Sequence, residues 1–114
     1  MNTDSPKDKM TLLEIFQSRN LEAAAELCAG GLKLDVSEIG KFDLTSKCSV
    51  NIESDYLLGN LAMWSSGECD LLVTDEKAEQ VLVNESNIIK TEGELRGFLD
   101  NVYDVLRGLN HRAI

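Results

Sequence analysis

The side chains of this chain that could carry catalysis are one histidine, three cysteines and a surplus of carboxylates. A Ser or Cys nucleophile usually needs a histidine base within hydrogen-bond reach. The single candidate, His111, falls beyond the expected end of the last helix, in a tail too frayed to hold a base in place. Glu68 and Asp70 would share one face of a strand, but carboxylates two apart on a solvated strand far more often serve solubility than acid–base chemistry. The acidic run continues through Asp75, Glu76 and Glu79, opposed only by Lys77, and it lacks the central glycine and alternating oxygen ligands of a calcium loop. Gly30-Gly31 follows a helical stretch instead of leading into one, so it does not read as a phosphate loop. Cys28, Cys48 and Cys69 are too widely spaced for zinc and odd in number for a disulfide framework. They are expected to be reduced core fillers, Cys28 on a helix face and the other two on a sheet. These residues predict no enzyme, no cofactor and no metal, which leaves recognition.

The charge balance points the same way. Across 114 residues, 20 Asp plus Glu against 11 Lys plus Arg give a formal net charge of −9 and a pI near 4.5. Such a field repels phosphate backbones and draws in basic proteins, so the expected partner is a protein and not nucleic acid or a small substrate. A chain that is 43% hydrophobic and 27% charged is an ordinary globular domain. At this length about two-thirds of the unfolded surface can be buried, enough for one core without staples. No run approaches the roughly 20 apolar residues of a membrane span. The opening MNTDSPKDKM lacks the apolar stretch of a secretory signal, and a cytoplasmic protein is expected.

The elements that must position these residues follow from periodicity. Residues 1–9 are polar, carry the only proline (Pro6), and are expected as a frayed lead-in to a single domain over 10–110. Thr11 and Glu14 have capping-box spacing, and Leu12, Leu13, Phe16, Ala24, Leu27 and Cys28 then recur at helical intervals until Gly30-Gly31. Thr91 and Glu94 open a second helix with the stripe Leu95, Phe98, Leu99, Val102, Val105, Leu106 and Leu109, expected to end at Gly108 or Asn110. Between them the period becomes two: Cys48, Val50 and Ile52 alternate with polar residues, and further strands fit 56–64, 68–74 and 80–84. Residues 32–44 have no clean period and read as a connector with room for a short strand or a turn of helix. The expected fold is α+β: an N-terminal helix, an antiparallel meander of about four strands and a C-terminal helix, both helices on one sheet face.

The segment Trp64-Ser65-Ser66-Gly67-Glu68 fixes which face that is. A three-residue loop ending in glycine matches a type I turn closed by a left-handed residue. Met63 then faces Cys69, Leu61 faces Leu71 and Gly59 faces Val73, an apolar set for the helices to cover. Trp64, Glu68 and Asp70 are left on the open face. The acidic run reads either as a charged hairpin end guarding an edge strand or as a docking surface, and a tryptophan beside it suits the second.

The stretch DYLLGNLAMWSSGECDLLVTDEKAEQVLV, within Ser54 to Val83, resembles small bacterial immunity proteins of the TriTu type, whose strands are followed by an acidic, Leu-rich helix like that over 91–109. The hairpin Trp64 to Leu71 is the most specific part of the match. Some members of that family sit in contact-dependent growth inhibition or Rhs toxin loci. The resemblance implies an antidote that binds a basic toxin domain one-to-one and blocks its active site, the toxin being an RNase A-like ribonuclease or an ADP-ribosyltransferase. The toxin-binding residues expected here are Trp64, Glu68 and Asp70, with Glu53, Asp55, Asp75, Glu76 and Glu79 extending the acidic patch. The rival reading is an acidic type III secretion chaperone, which would dimerise and hold an extended effector peptide.

Overall fold

The computed structural model describes residues 10–42 and 45–112; the expected lead-in, 1–9, lies outside the described residues. The first helix, α1 (Leu12–Leu27), starts where the capping box places it. Thr11 Oγ1 accepts from the Glu14 amide at 3.1 Å, and the Glu14 carboxylate accepts from the Thr11 amide at 2.9 Å. Its stripe buries Leu13, Phe16, Ala23 and Leu27 and also the polar Asn20. One 3-10 turn, Cys28–Gly30, follows, and Gly31 ends it in the left-handed region at φ 89°.

Six strands then form one antiparallel sheet: β1 (Lys33–Val36), β2 (Gly40–Phe42), β3 (Thr45–Glu53), β4 (Leu57–Trp64), β5 (Glu68–Asp75) and β6 (Gln80–Ile88). β3 to β6 are the expected meander. β1 and β2 are additions from the stretch expected as a connector, and both pair with β3. Helix α2 (Glu92–Arg112) is the last element among the described residues. Thr91 Oγ1 accepts from the Glu94 amide, but the Glu94 carboxylate reaches back to the Lys90 amide at 2.8 Å, one residue beyond the usual capping-box partner.

The core lies between the helices and one sheet face. Cross-strand rows Leu34, Ile52, Gly59, Val73 and Val36, Val50, Leu61, Leu71 present apolar side chains to Phe16, Leu95, Leu99, Val102 and Leu106. Full burial of each large side chain contributes about 1.5–3 kcal/mol. The helices are joined by a buried polar relay: Tyr103 Oη donates to Asn20 Oδ1 and Asn20 Nδ2 donates to the Phe16 carbonyl, both at 2.8 Å. Burial pushes the Tyr103 phenol well above its ordinary range, against the pull of Arg19, whose guanidinium lies 5.2 Å from the ring centre.

Three expectations need correction. α2 passes through Gly108 and Asn110 to Arg112, because Asn110 donates to the Gly30 carbonyl at 2.9 Å and ties the helix end to the turn after α1. His111 is therefore an exposed helical residue and not part of a tail. Cys28 is exposed, since it begins the 3-10 turn after the α1 stripe has ended; Cys48 and Cys69 are buried as expected.

Candidate functional site

The turn after β4 aims the open face. Gly67 adopts φ 102°, its amide donates to the Trp64 carbonyl at 2.9 Å, and its own carbonyl accepts from the Ile89 amide at 2.7 Å. A Cβ here would sit 2.4 Å from the Ile89 carbonyl oxygen, so glycine is required by conformation and by space. The resulting register pairs Met63 with Cys69, Leu61 with Leu71 and Gly59 with Val73, as the loop length predicts. Side chains of the other parity fall on the face the helices do not cover.

That face is ordered in rows across the strands. Lys47 and Trp64 form one, with the Lys47 ammonium 5.0 Å from the indole ring centre, so the tryptophan is half-buried beneath a cation. Ser49, Ala62, Asp70 and Ser86 form the next, in which Ser86 Oγ donates to Asp70 at 2.8 Å. Asp35, Asn51, Asn60 and Leu72 follow, with Asn60 donating to Asn51 at 3.0 Å. Lys33, Glu53, Leu58 and Thr74 complete the sheet. Glu68 is exposed beside Ile88, its partner on β6 and itself 65% exposed. A hollow of about 380 Å³ is lined by Glu68, Asp70, Ser86, Asn87 and Ile88.

The expected acidic patch is thus two patches. Glu68 and Asp70 stand at the start of β5, whereas Asp75 ends it, a span of about 23 Å at some 3.3 Å per residue. Asp75, Glu76 and Glu79 instead share the opposite end of the sheet with Glu53 and Asp55, where the Glu76 amide donates to the Tyr56 carbonyl at 2.9 Å. Leu58 and Leu72, each 43% exposed, lie in the rows between the two patches. Asp75 also orders the turn that follows it. Its carboxylate accepts from the Lys77 and Ala78 amides, both at 2.9 Å, and Glu79 closes the turn at φ 55°.

Chemically this surface can recognise and has little with which to react. Its half-buried members include Trp64 and Ser49, and the thiol behind it, Cys69 on the helix-covered face, is pushed up to about 12 by burial, seconded by the Asp70 charge. Among the described residues no three His, Cys, Asp or Glu converge as a metal site, and no helix is long and apolar enough to cross a membrane. Sequence reasoning missed Leu58, Ile88 and Lys47 as parts of the face. The parity of the strands held the signal for all three, once the hairpin register was known.

The family model described as Immunity protein TriTu matches residues 14–105, which takes in most of α1, the whole sheet and most of α2. No curated protein matches the chain.

Proposed function

Because this chain belongs to the TriTu immunity-protein family, we propose that it neutralises a cognate antibacterial toxin in the cytoplasm of the producing cell by binding the toxin domain one-to-one and blocking its active site. It acts by occupancy and not by turnover. The observation that carries the reading is that Glu68, Asp70 and the half-buried Trp64 share a sheet face left open by both helices. A toxin that cleaves RNA or uses a dinucleotide must present cationic groups to phosphate, and carboxylates on a rigid sheet compete for those same groups. An RNase A-like ribonuclease or an ADP-ribosyltransferase fits this chemistry.

Sizing chromatography with light scattering on this chain and the toxin domain encoded beside it tests the proposal. The expected species is a one-to-one complex, burying at least about 1,200 Å² if stable. Reversal of Glu68 and Asp70 to Lys should abolish protection in co-expression while the far-ultraviolet spectrum stays unchanged. A dimer of this chain that binds only an unfolded effector peptide would favour the chaperone reading.

A further inference from the structure

The two edges of the sheet are built differently. On one side the edge is split into β1 and β2, of four and three residues, and the Ser37 carbonyl between them accepts from the Gln17 side chain of α1 at 3.0 Å. Short, interrupted strands are a usual defence against foreign pairing. On the other side β6 runs for nine residues without proline, and eight of the nine are exposed. Among the described residues no strand pairs with its outer side.

The hydrogen-bond alternation shows what that side offers. Ile89 donates to Gly67, and Gly67 and Ile89 continue the β5–β6 register, so Val83, Glu85 and Asn87 point their main-chain groups inward to β5. Asn84, Ser86 and Ile88 therefore direct their N–H and C=O groups outward. Both faces of this edge are hollowed. On the open face lies the acidic hollow of Glu68 and Asp70. On the helix side a hollow of about 500 Å³ runs between β6 and α2, lined by Ile88, Lys90, Gly93, Glu94, Gly97 and Phe98 among others. A Cβ on Gly97 would meet nothing within 4 Å, so the helix leaves this space open.

We propose that β6 receives an extended strand of the toxin, paired to Asn84, Ser86 and Ile88, whose side chains alternate between a cation directed to the Glu68/Asp70 hollow and an apolar residue directed to the Gly97/Phe98 hollow. Strand addition draws affinity from main-chain hydrogen bonds and specificity from alternate side-chain pockets. A second copy of this chain is a poor occupant, because it would bring together two molecules of net charge −9. The inference rests on the toxin-binding reading and names the contact by which it acts.

The test uses the full chain and the purified toxin domain encoded beside it, with hydrogen exchange and binding measured together. The amides of Asn84, Ser86 and Ile88 should exchange freely in the free protein and slow at least tenfold in the complex. Gly97→Leu should raise the melting temperature, since leucine favours helix and its Cβ meets nothing within 4 Å, yet weaken toxin binding at least tenfold. Asn84→Pro, which removes an outward amide without breaking the sheet, should weaken binding at least tenfold where Asn84→Ala changes it less than threefold. A complex whose formation leaves those three amides unprotected overturns the strand addition and leaves the immunity reading standing. No complex at all overturns both. Protection of the same amides in the free protein as its concentration rises, with a dimer on sizing, would assign the edge to self-association and overturn the proposal.

Discussion

At the scale of the residue, the environment of each side chain sets its measurable behaviour. Iodoacetamide at pH 8 should add to the native protein once and quickly, at the exposed Cys28, while Cys48 and Cys69 react only on unfolding. Intact mass with time checks it, and a second rapid adduct would contradict the burial of the sheet cysteines. Glu79 is the one non-glycine residue described at positive φ, so Glu79→Gly should raise stability by up to about 1 kcal/mol in urea denaturation while deleting one carboxylate. Trp64→Ala should cost toxin affinity and less than the about 3–5 kcal/mol typical of a fully buried tryptophan, because the side chain is not fully buried. The placement of Trp64, Glu68 and Asp70 on one open face was legible, since a strand has period two and the loop fixes its phase. The separation of Asp75 from Glu68 follows from the same strand direction, but the adjacency of these acids in sequence conceals it. The turn-ordering role of Asp75 was not legible, because it depends on main-chain geometry after the strand and not on pattern.

At the scale of the element, loops and pairings decide. Gly67→Ala should destabilise the protein by about 1–3 kcal/mol or more, as φ 102° and the Ile89 carbonyl both oppose a side chain. Thermal melts of Gly67→Ala beside Gly30→Ala, whose Cβ would meet nothing within 4 Å, separate strain from a general glycine effect. The last strand, expected over 80–84, runs on to Ile88, whereas the first capping box, the two helical stripes and the strands over β3 to β5 were readable from their own patterns. β1 and β2 were not: Lys33-Leu34-Asp35-Val36 alternates for only four residues, and its stability comes from pairing with β3. The end of α2 escaped for a similar reason. Asn110 looks like a helix stop by type, and its tie to Gly30 belongs to the tertiary structure.

At the scale of the whole molecule, the helices must stay joined for the sheet to keep one face dry and one face free. Tyr103→Phe leaves Asn20 Oδ1 buried without its donor and should cost about 1–3 kcal/mol in chemical denaturation, while toxin affinity stays unchanged. A loss of affinity equal to that of the face variants would show that the helix pairing, and not the open face, governs binding. The meander adds a consequence in time. β3 to β6 come from one unbroken stretch, and each strand pairs with the one made just before it, so the sheet can assemble from local contacts and quickly. Its apolar side nevertheless waits for Leu95, Leu99, Val102 and Leu106, all translated after the last strand. A nascent chain halted before α2 carries every acidic residue of the face, with α1 alone to line the sheet behind it. On the proposed function, a newly made molecule is expected to gain its full binding face only once α2 has left the ribosome and docked, so chains halted before Glu92 should hold the toxin weakly.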